Sequence, residues 1–259
     1  ITTLPDQLAG LLSVEQGRRS YKLPTVDPVW FQPLPAFPEE GAVLWAGDFF
    51  QDVIDRVAFC ISDDDSAEGL IETLSEVNRL SMLGGGVGIH VGIRSADEKS
   101  VGVMPHLKVY DASCLAYRQG STRRGSYAAF LSIDHPDIIP FIEMRKPTGD
   151  QNLKALNLHH GVNITDAFME KIEASMRDAD ADDSWDLRHP TTGEVVATVS
   201  ARDLWQRLLE MRMHTGEPYL VFTDTANRAL PSWLKDKGLS IHGSNLCTEI
   251  FLPTSKDRT

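Results

Sequence analysis

From residue 66 onward the apolar positions alternate between two periods. Leu70, Leu74, Val77 and Leu80 fall at helical spacing. Ser66 is placed to cap that helix, and Gly84-Gly85-Gly86 to stop it. Residues 87–93 then read as a strand, its glycines leaving room for something to approach the backbone. Leu107, Tyr110, Cys114 and Tyr117 share a second helix face, which assigns Cys114 to core packing. Residues 127–133 form a buried-type strand, 136–145 a short helix and 156–164 another strand. Thr165 caps a helix reaching about Met176, and 178–183 is a solvated acidic turn. Ser200-Ala201-Arg202-Asp203 resembles a capping box. It opens a helix carrying Leu204, Leu208 and Met211 that stops before Gly216 and Pro218, and 219–222 is a strand.

Strands separated by helices of this length pair in parallel through crossover connections, so the fold class is α/β. Ligands of such sheets gather at the carboxyl ends of the strands. Periodicity alone leaves an open sheet and a barrel equally open. Residues 1–55 are rich in proline, with Pro33, Pro35 and Pro38 close together. That segment is expected to be loop and extended chain packing on the body formed by residues 56–259.

Twenty-five basic against 37 acidic side chains give a net charge of −12. Nucleic-acid affinity comes mainly from cations meeting phosphates, so direct nucleic-acid binding is not expected. No apolar run approaches the roughly 20 residues of a membrane helix, and the N-terminus lacks the order of a secretory signal. Three cysteines, Cys60, Cys114 and Cys247, cannot all pair with one another. A reduced, cytoplasmic setting is expected. His159 and His160 are adjacent and face opposite ways on a strand, and no HExxH or CxxC spacing is present, so no metal is assigned to this chain.

The chemistry concentrates in Ser244-Asn245-Leu246-Cys247-Thr248-Glu249-Ile250. Read as an extended strand, it presents Asn245, Cys247 and Glu249 on one face and Leu246, Thr248 and Ile250 on the other. A nucleophilic cysteine needs a nearby cation or a helix N-terminus. Here the nearest ionisable neighbour is a carboxylate, which disfavours the thiolate. A neutral thiol beside a carboxylate and an amide suits one-electron hydrogen-atom transfer. Spacing alone favours the plainer alternative, an inert cysteine in a buried strand.

This segment, followed by Leu252-Pro253-Thr254, resembles the active-site finger loop of the ribonucleotide reductase large subunit, most like the class I enzymes. Residues 84–92, 118–125, 135–138 and 157–164 resemble further segments of that family, in its order. The resemblance implies that Cys247 carries a transient thiyl radical that abstracts the 3′ hydrogen of a ribose. It implies Glu249 as base on the 3′-hydroxyl, Asn245 as a ribose ligand, and Cys60 as one of two thiols reducing the 2′ position. Ala58-Phe59 stand where the family has small hydroxyl residues. Gly92, Gln119 and Arg123 become substrate-side contacts. Asp65 and Arg94 become contacts to a nucleoside triphosphate effector.

The resemblance further implies the first half of a ten-stranded α/β barrel with the finger loop near its end. The second reducing cysteine, the radical-relaying tyrosines and the diphosphate loop would lie in a complementary C-terminal half. A dinuclear metal radical cofactor would reside in a separate small subunit, thioredoxin or glutaredoxin would be the reductant, and the chain would form a homo-oligomer. The alternatives are an adenosylcobalamin-dependent reductase of the same family and a non-catalytic nucleotide-binding fragment.

Overall fold

The computed structural model describes residues 2–6, 11–16, 19–24, 59–62, 67–98, 100–119 and 123–253, with side chains from residue 71 onward. The chain divides into two units, 1–46 and 47–259. In the first, where loop and extended chain are expected from the prolines, β1 (Thr2–Asp6), β2 (Leu11–Gln16) and β3 (Arg19–Pro24) form an antiparallel sheet. The β2–β3 ladder ends on the pair Gln16 and Arg19.

The second unit is built on β4 (Phe59–Ser62), α1 (Ala67–Met82), β5 (Val87–Val91), α2 (Val103–Ala116), β6 (Arg118–Gln119), β7 (Arg123–Arg124) and β8 (Tyr127–Ser132). It continues through α3 (Ile138–Ile142), β9 (His159–Ile164), α4 (Asp166–Arg177), β10 (Ser184–Arg188), β11 (Val195–Ser200), α5 (Ala201–Thr215), β12 (Tyr219–Phe222), α6 (Thr223–Ala229) and α7 (Ser232–Lys235). Five strands pair in parallel in the order β12-β9-β8-β5-β4. Neighbours in space are thus neighbours in chain order. With crossovers of one hand, that order puts the connecting helices on one face and frees the other, which is barrel-type winding. The α/β expectation holds, and topology settles what periodicity left open.

Strand alternation sorts the side chains accordingly. Val87, Ile89, Val91, Tyr127, Ala129, Leu131, Val162 and Ile164 join Leu107, Phe141, Phe168, Leu204 and Leu208 from the helices in the main core. Ala128, Phe130 and Val221 face the other way, with Tyr219 and Leu246 against them. Phe130 is fully buried there, which stabilises that layer by about 1.5–3 kcal/mol.

Most helix ends follow the sequence signals. The Thr165 hydroxyl accepts from Phe168 N at 3.2 Å, and the Ser200 hydroxyl from Asp203 N at 3.1 Å. Each such cap contributes about 1 kcal/mol. Gly216 closes α5 in the left-handed conformation, its N–H donating to Arg212 O. Cys114 lies in the core, where burial pushes its thiol up to about 11. Three details depart from the pattern. The helix expected over 136–145 is confined to α3. β9 begins at His159, because Asp111 Oδ1 takes the N–H groups of Asn157 and Leu158 at 2.5 and 2.9 Å and keeps them out of the ladder. The β10–β11 ribbon, unmarked in the periodicity, stands between α4 and α5.

Candidate active site

The segment 240–253 lies against the helix-free face of the sheet, and glycines make room for it. A Cβ on Gly88 would stand 1.7 Å from Ser244 O, and one on Gly86 would stand 3.2 Å from Leu246 Cβ. Gly161 and Gly243 clear space for the Phe130 ring. Of the glycines in the predicted strand, Gly88 thus admits this loop, joined by Gly86 of the preceding turn. Side-chain and main-chain bonds pin it: Asn163 Nδ2 donates to His242 O at 2.7 Å, Asn227 exchanges two bonds with the backbone of Ile241, and Leu246 N donates to Gly86 O at 3.3 Å. His242 sits beside His90, with ring centroids 5.2 Å apart. The loop therefore runs from the carboxyl ends of the strands toward their amino ends.

The extended strand expected over 244–250 is not what forms. Residues 245–248 make a tight turn, with Thr248 N donating to Asn245 O and Asn245 N to Ile250 O. The Asn245 carboxamide causes this. Its Oδ1 accepts from Glu249 N at 3.2 Å and Ile250 N at 3.1 Å, replacing strand partners with a side chain. Its Nδ2 donates to Glu249 Oε1 at 2.7 Å, which leaves one N–H for another partner. Asn245 is buried, whereas Cys247 and Glu249 are exposed. The amide and the carboxylate are brought together as expected, but by a turn that carries Cys247 at its corner rather than by strand alternation.

Two further features adjoin the turn. Tyr219, like Leu246, packs against the inner layer. Its phenol is pushed up by burial and by the neighbouring Glu217, Cys247 and Glu249. Glu217, with a side chain 9% exposed, receives His159 Nδ1 at 2.5 Å on one oxygen and His160 N and Nδ1, both at 3.2 Å, on the other. Arg145 Nη1 lies 3.5 Å away. Burial raises the pKa of this carboxyl, but the bonds from both histidines and the Arg145 charge outweigh it and hold the group at about 2. The His159 ring lies parallel to Tyr219, with centroids 6.5 Å apart. The two histidines face opposite ways, as expected, yet one carboxylate from 57 and 58 residues away reaches both. Glycine and proline around Glu217 mark a turn in the sequence; nothing local marks a buried acid.

The other expected site residues are distributed as follows. Gln119 Nε2 donates to Ser81 Oγ and Gly85 O, both at 3.1 Å, which ties the β6–β7 hairpin to the glycine turn preceding β5. Arg123 is exposed on that hairpin, opposite Gln119. Between Arg124, Arg145, Asn157 and His159 lies a cavity of about 270 Å³. Gly92 is not beside the turn. It follows the carboxyl end of β5, about 20 Å along the strand from Gly86, and lines a cavity of about 580 Å³ with His90, His135 and His242. Gly86 is the glycine that touches the loop. Arg94 is half-buried just after Gly92. The backbone of Cys60 runs in β4 beside Ile89, its side chain lying outside the described residues, as does all of Asp65. Among the described residues no cluster of three or more His, Cys, Asp or Glu side chains is arranged for a metal. No helix among them is long and apolar enough to cross a membrane.

Comparison with known proteins places this arrangement. Residues 57–259 match the ribonucleotide reductase barrel-domain family. The chain is 60% identical over 184 residues to a ribonucleoside-diphosphate reductase large subunit of Invertebrate iridescent virus 6, covering 71% of this chain and 19% of that protein. It is 46% identical over 242 residues to the large subunit of Invertebrate iridescent virus 3, covering 75% and 38%. Among solved structures, the class Id ribonucleotide reductase alpha subunit of Actinobacillus ureae superposes with a TM-score of 0.59 at 29% identity, over 77% of this chain and 33% of that one. The chain thus spans from about a fifth to two fifths of the length of these relatives. A singly wound five-stranded sheet, a glycine-cleared interior loop and a hydrogen-bonded Asn245–Glu249 pair flanking Cys247 accord with that match, and the chain belongs to the ribonucleotide reductase large-subunit family, contributing part of its barrel domain.

Proposed function

We propose that this chain is the part of a ribonucleoside-diphosphate reductase large subunit that holds the radical-bearing cysteine. The observation that carries the reading is the turn itself, with exposed Cys247 at its corner between a buried amide and the carboxylate that amide binds. In the proposed step, the Cys247 thiyl takes the ribose 3′ hydrogen atom, which forms an S–H bond and leaves a carbon radical. Glu249 accepts the 3′-hydroxyl proton, and the remaining Asn245 N–H holds the ribose. Loss of the 2′-hydroxyl as water is followed by reduction from a thiol pair that includes Cys60, which becomes a disulfide. Glu249 then returns its proton to the 3′ oxygen, and Cys247 its hydrogen atom to the 3′ carbon. The metal radical cofactor of a small subunit supplies the one-electron oxidation of Cys247, and thioredoxin or glutaredoxin re-reduces the disulfide.

Two surfaces support the proposed partners. Among the described residues β12 has no strand on its outer side. A groove of about 430 Å³ lined by Val221, Phe222, Ile241 and Phe251 lies beside it, suited to the complementary half of the barrel. A second apolar groove, of about 470 Å³, is lined by Ile71, Leu74, Met82 and Leu83 of α1 and the α1–β5 turn, and by Tyr117 after α2, and suits a second copy. Asp65 and Arg94 remain the proposed effector contacts, and Arg123 a proposed substrate contact. No direct nucleic-acid or membrane contact is proposed, and the setting is cytoplasmic.

The test is reconstitution of the complete large subunit with its small subunit. Deoxyribonucleotide formation that requires the small subunit is expected. Turnover sustained by adenosylcobalamin alone, or nucleotide binding without turnover, would replace this reading by the corresponding alternative. Within the active complex, Glu249→Gln should lower kcat by about 10²–10⁴, the usual contribution of a positioned base.

A further inference from the structure

Between the sulfur and the carboxylate of the turn stands a residue with no role assigned so far. Thr248 has φ +63°, and among the described residues it is the one non-glycine residue in the left-handed region. A β-branched side chain there is disfavoured, because Cβ crowds the backbone. Such a conformation persists only where its surroundings over-determine it. Here the surroundings are explicit. Thr248 N donates to Asn245 O at 3.3 Å, and Thr248 Oγ1 to Cys247 O at 2.6 Å. Immediately after Thr248 the chain reverses, so that the N–H groups of Glu249 and Ile250 both converge on Asn245 Oδ1.

We infer that the left-handed conformation of Thr248 positions Cys247 and Glu249 together, acting through Asn245 and touching no substrate itself. The inference rests on the proposed role of Cys247. A negative φ at residue 248 would turn the following peptide away. Glu249 N–H and Ile250 N–H would then lose Asn245 Oδ1, the Glu249 carboxylate would leave Asn245 Nδ2, and the corner that exposes Cys247 would open. The Thr248 hydroxyl offsets part of the strain by holding the Cys247 carbonyl. Threonine is therefore tolerated where asparagine or glycine would fit more comfortably.

Three variants of the complete large subunit test this. Thr248→Asn adopts left-handed backbone readily; Thr248→Val keeps the shape but loses the hydroxyl; Thr248→Pro fixes φ near −65°. With the small subunit present, Thr248→Asn is expected within about threefold of the parent kcat. Thr248→Val is expected about tenfold lower, the loss of one hydrogen bond of the stronger kind. Thr248→Pro is expected at least a hundredfold lower, with KM changed less than threefold in all three. A second readout is independent of turnover: the rate of Cys247 alkylation by iodoacetamide, followed by peptide mass spectrometry. It should be unchanged in Thr248→Asn and at least fivefold altered in Thr248→Pro, or in Thr248→Val if the proline variant does not fold. Equal alkylation rates across the folded variants, or asparagine as damaging as valine, would overturn the inference. Loss of turnover in the parent complex, with the alkylation pattern intact, would overturn the reading of Cys247 and leave that of Thr248 standing.

Discussion

Gly88→Ala is expected to drive the 240–253 loop off the sheet and to abolish any activity that depends on it. The added methyl would lie 1.7 Å from Ser244 O, 2.8 Å from Ser244 C and 3.0 Å from Phe130 Cε2. The first two are backbone atoms, so no rotamer change relieves the contact. Overpacking by a methyl group in a core ordinarily costs about 1–3 kcal/mol. With main chain as the obstacle, about 3 kcal/mol or expulsion of the loop is expected. The loss should be confined to the inner layer, because Val87, Ile89 and Leu131 meet the helices on the opposite face. Gly84→Ala is the control: nothing lies within 4 Å of its Cβ, although φ is +96°, so it should cost only about 1 kcal/mol from the backbone. Urea denaturation and proteolysis of the loop distinguish the two. A Gly88→Ala protein as stable and as protease-resistant in 240–253 as the parent would show that the loop does not occupy the sheet interior.

Glu217→Ala is the second substitution with a large expected effect. It leaves His159, His160 and Arg145 without the carboxylate that now receives all three. Removing one member of a buried ionic cluster typically costs about 3–5 kcal/mol. Because Arg145 and His159 are 23% and 32% exposed, water recovers part of that loss, and about 2–4 kcal/mol is expected. The pH dependence has a defined sign. The folded pKa of Glu217, about 2, lies below its ordinary value of 4.5. Its contribution is therefore complete above about pH 4.5 and lost as pH falls toward 2. The destabilisation caused by Glu217→Ala should shrink over that window. The histidines act in the same direction at higher pH. Burial, then the charges on His242 and His135, takes His90 down to about 3. Burial also lowers His135 and His160. The unfolded chain takes up protons at these positions below about pH 6.5 while the folded chain does not, so stability should decline from there downward. Thermal melts from pH 8 to 4 check this, and a flat profile between pH 7 and 5 would contradict it.

Much of this was legible in the residues, some of it for the wrong reason. Alternating periods identified the parallel α/β class because each parallel strand must be returned by a helix. Leu107, Leu204 and Leu208 sit where those periods put them. Asn245, Cys247 and Glu249 were grouped through an assumed strand, and a turn brings them together instead. The true cause is a side chain that captures two backbone N–H groups, and no alternation pattern encodes that competition. The glycine-rich run promised a close approach, but not which glycine would meet it. Gly86 and Gly88 lie under the loop, and Gly92 faces a different cavity. Glu217 was invisible because its histidine partners lie on the neighbouring strand β9, 57 and 58 residues away in the chain. Residues that act through long-range contacts are read from the fold, whereas caps, periods and stops are read from the chain.

The central claim, that the sulfur of Cys247 carries the unpaired electron, is tested most directly by Cys247→Ser in the complete large subunit assayed with its small subunit. A serine keeps the shape of the turn, but its O–H bond is too strong to stand in for S–H in hydrogen-atom transfer. Deoxyribonucleotide formation should fall below detection while ribonucleotide binding stays within about threefold of the parent. A serine variant that still turns over at a tenth of the parent rate would show that hydrogen abstraction does not run through this residue.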